Sequence, residues 1–133
     1  TIALWGSYSH QTARIITPDP ATPSQAGNEI DHVPQNVFSG GLDVTPDPKV
    51  RLSLWGNGQS SYELLPANTQ GRYGEYVVLN AEVAYKLTPR IEVSAQLKNL
   101  ANERYEYVWY DGTQRLHAPA DPRSLFGAVR LTL

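Results

Sequence analysis

The segment Ile91–Lys98, IEVSAQLK, alternates strictly between apolar and polar residues, and this alternation decides the fold. Successive side chains of a β-strand point to opposite faces, so a period of two predicts a strand with one apolar and one polar face. The stretch from Val77 to Leu87 alternates in the same way, and Thr88-Pro89 between the two is a tight-turn signal. Residues of about 75–100 are therefore predicted to form an antiparallel hairpin.

The same period recurs in four more segments, which brings the predicted strands to six. Their apolar positions are Ile2, Leu4, Gly6 and Tyr8; Phe38, Gly40, Leu42 and Val44; Val50, Leu52 and Leu54; and Leu125, Gly127, Val129, Leu131 and Leu133. The predicted connections alternate between short turns, near 45–49 and 88–90, and long loops, at roughly 16–35, 63–74 and 101–122. No segment has a sustained helical period, so the fold class is all-β.

The composition excludes several functions. The chain has 133 residues, a net charge of −2 and no cysteine, so disulfides, cysteine-ligated metals and thiol chemistry are excluded. It has no run of Lys and Arg, so it lacks the cluster of positive charge that is typical of nucleic-acid-binding proteins. No apolar run reaches the roughly 20 residues of a transmembrane helix. Because Thr1 rather than Met opens a patterned strand, we expect the chain to be the tail of a longer protein.

Two architectures explain alternating strands: a soluble β-sandwich and a transmembrane β-barrel. Long strands, and short turns that alternate with long loops, favour an antiparallel up-and-down barrel. Aromatic residues near strand ends suit the interfacial girdles of such a barrel; they are Tyr8, Tyr62, Tyr76, Tyr85, Tyr105, Tyr107, Trp109 and Tyr110. Six strands are too few to close a membrane barrel, for which eight is the usual minimum. We therefore expect the chain to be one wall of a larger barrel.

Four segments carry a resemblance to a known family. Gly74–Ala81, followed by Ala84–Thr88, resembles a strand near the C-terminus of TonB-dependent outer-membrane receptors. The segment Ile91–Tyr105 is similar to that family's V-x-N-L-x-D/N-x-x-Y signature. Val33–Asn36 resembles the start of an earlier strand, and Ala120–Gly127 resembles the start of the final one. The resemblance covers essentially the whole chain; Leu133 departs from it, because such proteins usually end in an aromatic residue.

The resemblance implies a 22-stranded barrel with an N-terminal plug, of which residues 1–133 are a C-terminal part without the plug. It implies active transport of a scarce nutrient across the outer membrane of a Gram-negative bacterium, above all a ferric siderophore. The implied partners are the rest of the receptor, the TonB complex acting through the plug, the ferric siderophore and outer-membrane lipid. Cobalamin, other metal chelates and oligosaccharides stay open as substrates. The alternatives are a soluble all-β carbohydrate-binding module and a passive porin-type barrel.

No catalytic constellation is visible, and we predict neither an enzyme nor a bound cofactor. The histidines His10, His32 and His117 are far apart in sequence and predict no metal site. The last long loop combines aromatic residues with a cation, which suits a large anionic, partly aromatic ligand. Its candidate binding residues are Tyr105, Tyr107, Trp109, Tyr110, Arg115 and His117. The alternative for these six is an interface girdle with ordinary loop packing.

The alternation also assigns a facing to each strand residue. The polar positions should face the lumen; they are Arg51, Asn57, Gln59, Asn80, Glu82, Glu92, Gln96, Lys98 and Arg130. An arginine on the lipid face costs roughly 2–4 kcal/mol at the midplane. Val93→Arg is therefore expected to damage assembly, and Gln96→Arg is expected to be tolerated.

Overall fold

The computed structural model describes the whole chain, residues 1–133, as one large open β-sheet with long loops at one end. The chain forms ten strands: β1 (Ile2–His10), β2 (Asn36–Asp47), β3 (Val50–Gln59), β4 (Tyr62–Glu63), β5 (Arg72–Tyr73), β6 (Tyr76–Thr88), β7 (Ile91–Lys98), β8 (Glu106–Tyr110), β9 (Arg115–Pro119) and β10 (Ser124–Leu131). The one helical segment is a 3-10 turn at Pro23–Gln25. No helix of the chain is long and apolar enough to cross a membrane.

Six strands build the main sheet, in the order β1-β2-β3-β6-β7-β10, and every neighbouring pair is antiparallel. Short turns join β2 to β3 and β6 to β7 at one end of the sheet, and three long loops emerge at the other end. The structure thus confirms the all-β, up-and-down arrangement and the six alternating strands. Strands β1 and β10 each have one neighbour, so the sheet does not close within this chain.

The register gathers the apolar side chains on one face. In its middle row, Leu4, Leu42, Leu54, Ala81, Leu97 and Leu125 stand opposite one another across all six strands. This face is open, since Leu4 is 80% exposed and Leu125 is 74% exposed. A β-sandwich would cover it with a second sheet, whereas the two further sheets of this chain, β4–β5 and β8–β9, are two-stranded hairpins in the loops. An uncovered apolar band is what a barrel wall presents to lipid.

The opposite face carries the polar residues, on the side predicted for them. Arg51 lies 3.0 Å from Glu82 and 3.8 Å from Glu92, and Arg130 lies 3.7 Å from Glu92. Ser53 donates a hydrogen bond of 2.5 Å to Asp43 on the neighbouring strand. Cross-strand pairs therefore neutralise most of the charge on this face.

Four details differ from the sequence-based prediction. Strand β2 runs on through Thr45–Asp47, and the turn falls at Pro48 and Lys49, because a bulge between Val44 and Asp47 absorbs the extra residue. The long loops contain two hairpins, β4–β5 and β8–β9, whose strands are too short to display a period. Tyr62 is only 7% exposed and lies inside the loops, so it is not a girdle residue. Tyr76 stands opposite Gln59 on the polar face, away from lipid.

Val93 lies on the apolar face as predicted, opposite Tyr85 and Val129. This row is close to the short turns rather than in the middle of the sheet. A long arginine side chain at a membrane edge reaches water by extending along the surface. The middle row therefore offers a stricter test of the facing than Val93 does.

Candidate ligand-binding site in the outer loops

A buried asparagine pins the last long loop to the end of the sheet. Asn99 is 3% exposed, and its side-chain amide donates to the carbonyls of Glu103 at 2.9 Å and Asp121 at 3.2 Å. Its side-chain oxygen accepts from the backbone N–H of Glu103 at 2.8 Å. Its own backbone N–H donates to the side chain of Asn80. One side chain thus holds both ends of the loop, which explains why the sequence places asparagine there.

An ion cluster joins the first and second long loops. The Arg72 guanidinium on β5 lies 2.7 Å from Glu29 and 2.9 Å from Glu63. Its hydrogen bond with Glu29, opposed in part by burial, raises the pKa of Arg72 further above its ordinary value. The side-chain oxygen of Asn68 accepts from the backbone N–H of Glu29, and its side-chain amide donates to the Glu29 carbonyl, so a side chain of the second loop also holds the backbone of the first. The two loops therefore form one cross-linked unit.

The β8–β9 hairpin rises from the third loop and rests against this unit. Val108, in the middle of β8, is buried, with 1% of its surface exposed. The Arg115 guanidinium lies 5.5 Å from the ring centre of Tyr73 on β5, and the His117 ring makes an edge contact with the same tyrosine at 6.4 Å. His117 Nδ1 also lies 2.8 Å from a carboxylate oxygen of Glu106. The cation and the imidazole are thus already engaged with neighbours.

The structure divides the six predicted binding residues into three groups. Tyr107 and Trp109 share one face of the hairpin, while Tyr110, Arg115 and His117 share the other, since paired positions face the same side and alternate positions face opposite sides. Tyr105 precedes β8 and stacks on Tyr76 of the main sheet. The six residues were predicted as one group because they lie in one loop of the sequence. In the structure, side chains alternate along β8 and β9, so the six residues fall on different faces.

A continuous aromatic series leads from the lumen face of the sheet to the hairpin. The ring centres of Tyr76 and Tyr105 are 4.5 Å apart, those of Tyr105 and Tyr107 are 6.2 Å apart, and those of Tyr107 and Trp109 are 6.3 Å apart. Tyr107 is 48% exposed and Trp109 is 49% exposed, so both offer open ring surface. Burial, and then the charge interaction with Tyr107, raises the pKa of Tyr105. This phenol therefore remains a neutral hydrogen-bond donor at physiological pH.

The structure adds Tyr73 and Tyr76 to this surface, although the sequence pattern predicted a ligand-binding role for neither. They flank the short β5–β6 connection, far from the third loop along the chain. Their only sequence signal is the local density of tyrosine, because the contacts that matter are between loops. No group of three or more His, Cys, Asp or Glu side chains is placed to hold a metal ion. The surface is suited to stacking and hydrogen bonding rather than to direct metal ligation.

The hairpin tip gives a pH-dependent prediction. The Asp111 carboxylate accepts hydrogen bonds at 2.8 Å from the backbone N–H of Gln114 and from that of Thr113, which lower its pKa from 3.8 to about 2. A depressed native pKa stabilises the turn above pH 3.8, and this contribution is lost as the pH falls through about 2. We expect the turn to persist from neutral pH to about pH 4 and to open nearer pH 2.

The measurement is an NMR titration of the Thr113 and Gln114 amide shifts in the intact protein. Asp111→Ala should show the opened-turn shifts at every pH, whereas Asp111→Asn keeps an acceptor oxygen and should lose only the titration. A wild-type midpoint near pH 4 would contradict the assigned hydrogen bonds.

An open sheet with one apolar face, short turns at one end and long loops at the other defines the wall of an outer-membrane type of β-barrel. Comparison with solved structures agrees. The chain superimposes on the unliganded ferric citrate transporter FecA with a TM-score of 0.84 and 23% identity, over 98% of this chain and 21% of that one. The ferric-catecholate import receptor Fiu of E. coli K12 gives a TM-score of 0.79 and 15% identity, over 98% and 18%.

The siderophore receptor PiuA of Acinetobacter baumannii gives a TM-score of 0.72 and 19% identity, over 83% of this chain and 15% of that one. The chain thus has the fold of a receptor barrel wall and spans about a fifth or less of the length of these proteins. No protein-family profile and no curated protein matches the sequence.

Proposed function

We propose that residues 1–133 are the C-terminal barrel portion of a TonB-dependent receptor in the outer membrane of a Gram-negative bacterium, and that this receptor imports a ferric siderophore. The observation that carries the proposal is the likeness of almost the whole chain to the ferric citrate transporter FecA. The sequence signature at Ile91–Tyr105 supports the same family independently. The plug and the remaining strands belong, in this proposal, to the part of the receptor outside residues 1–133.

The loop surface supports a chelate as ligand. Tyr107 and Trp109 present half-exposed rings at the outer end of the wall, and Tyr105 and Tyr76 continue the series toward the lumen. Arg115 and His117 place a cation and an imidazole on the other face of the same hairpin. A catecholate chelate is both aromatic and anionic, so it can stack on the open rings of Tyr107 and Trp109, while Arg115 on the opposite face adds positive charge to the hairpin only at longer range. Tyr105, Tyr107, Trp109, Tyr110, Arg115 and His117 are the proposed ligand-binding residues.

Iron uptake by whole cells tests the proposal. Cells that express the intact receptor should take up radiolabelled ferric citrate or a ferric catecholate, and uptake should stop in a strain without TonB or after a protonophore is added. Uptake that continues without TonB would favour a passive porin. A protein that partitions into buffer rather than into detergent would favour the soluble carbohydrate-binding module.

Trp109→Ala tests the loop surface itself. Removing a stacking aromatic is expected to weaken binding of a ferric catecholate to the intact receptor by roughly 3- to 10-fold. Isothermal titration in detergent measures the dissociation constant. Ile16→Ala is the matched control, because Ile16 is an exposed apolar residue of the first long loop outside the aromatic series. Equal weakening by both variants would argue against a binding role for the aromatic series.

A further inference from the structure

We propose that Tyr73 is a positioning residue for the ligand surface of the outer loops. Its ring holds the β8–β9 hairpin against the second loop, so that Tyr107 and Trp109 present one fixed face to the ligand. This role rests on the proposed function, because Tyr107 and Trp109 are proposed ligand contacts. Tyr73 lies outside the loop that carries them, and it meets two side chains of the hairpin, Arg115 and His117.

Strand β5 consists of two residues, and each of them reaches a different loop. Its pairing with β4 places Arg72 opposite Glu63, on the other face from Tyr73. Arg72 therefore turns toward the first loop, where it binds Glu29, and Tyr73 turns toward the third. Two neighbouring residues of β5 thus connect all three outer loops.

The surroundings of β5 hold it in place on both sides. Gly71 has a φ of 86° and Gly74 has a φ of 80°, in the left-handed region that favours glycine. A Cβ atom on Gly74 would collide with the ring of Tyr62, which is itself only 7% exposed, so the chain leaving β5 packs directly on a buried side chain. With Arg72 bound on the opposite face, the Tyr73 ring is a fixed support.

The contact between β5 and the hairpin depends on the aromatic ring. The Arg115 guanidinium lies 5.5 Å from the centre of the Tyr73 ring, and the His117 ring meets that ring edge-on, at 82° and 6.4 Å between centres. Both contacts are attractive because of the charge distribution of the aromatic ring. Gln70 adds one hydrogen bond, which its side-chain oxygen accepts from Arg115 at 3.4 Å. Leucine at position 73 would fill similar space without these ring contacts, whereas phenylalanine would keep them.

The two faces of the hairpin connect this support to binding. Arg115 and His117 lie on the face toward Tyr73, and Tyr107 and Trp109 lie on the opposite face. Fixing the first face therefore sets the direction of the second. Side chains that are already held in place lose less freedom when a ligand binds. A looser hairpin should thus bind more weakly even though both aromatic contacts are still present.

Tyr73→Leu and Tyr73→Phe, made in the intact receptor, test the proposal. Tyr73→Leu should speed hydrogen exchange in residues 106–119 of the ligand-free receptor roughly 3- to 10-fold, measured by mass spectrometry. It should weaken binding of a ferric catecholate, measured by isothermal titration, by a similar factor. Tyr73→Phe should stay within about 2-fold of the wild type in both measurements, since the ring is kept. Tyr85→Leu is the matched control, because it makes the same change on the lipid face, opposite Val50 and Val93, and should alter neither.

The proposal is overturned if Tyr73→Leu leaves the exchange of the hairpin unchanged, or if Tyr73→Phe loses as much as Tyr73→Leu does. Faster exchange with an unchanged dissociation constant also overturns it, because the support would then not serve binding. If the wild-type receptor binds no ferric catecholate, the proposed function fails for that ligand. The exchange measurement needs no ligand, so it still decides whether Tyr73 holds the hairpin.

Discussion

Replacing Leu97 by arginine is expected to destabilise the barrel by about 2–4 kcal/mol, the cost of a cationic side chain at the middle of the lipid face. Leu97 stands opposite Ala81 and Leu125 in the middle apolar row of the sheet. The row to which Leu97 belongs crosses β3 and β6 near their midpoints, and Leu97 itself is the penultimate residue of β7. The measurement is the free energy of unfolding of the intact protein in phospholipid bilayers, obtained by denaturant titration.

Gln96→Arg is the matched control, one residue away on the opposite face. Gln96 stands opposite Glu82 and Phe126, so an arginine there meets a carboxylate and the lumen rather than lipid. We expect this variant to unfold within about 0.5 kcal/mol of the wild type, as surface substitutions usually do. If both variants lost the same stability, the assigned facing of β7 would be wrong.

Asn99→Ala is expected to cost about 2–4 kcal/mol and to release the third loop, because it leaves several buried backbone groups without partners. The side chain accepts from the N–H of Glu103 and donates to the carbonyls of Glu103 and Asp121. Alanine also fits poorly at the positive φ of 51° that Asn99 adopts. Denaturant unfolding and hydrogen exchange over residues 100–122 measure the two effects.

Asn102→Ala is the control for the backbone contribution. Asn102 has a similar φ of 53°, but it is exposed and its side chain makes one hydrogen bond, to the N–H of Arg123. We expect roughly 1 kcal/mol or less from this change. A loss as large as that of Asn99→Ala would mean that backbone strain, rather than the buried hydrogen bonds, holds the loop.

The strand arrangement follows from the sequence because a barrel wall repeats one local rule. Each residue of Ile91–Lys98 reports its own facing through its polarity, and the register observed with β6 and β10 leaves that facing unchanged. The loops lack such a rule. Arg72 binds Glu29 across more than forty residues of chain, and no periodicity links the two positions.

The candidate ligand site shows the same division. The sequence located an aromatic loop, in which the structure forms the β8–β9 hairpin. It did not separate Tyr107 and Trp109 from Arg115 and His117, since five-residue strands are too short for their period to be seen. It also placed Tyr62 at a membrane interface, whereas the structure buries this side chain among the loops.

The sequence by itself determined the all-β class, the six main strands and the face of most side chains on them, because the alternation between apolar and polar positions acts on every residue separately. Only the tertiary structure decided how the three loops join, which aromatic rings stack, and which loops Arg72 and Tyr73 contact. Those features depend on contacts between segments distant in the chain. Their energies come from pairing and burial, which no single stretch of sequence contains.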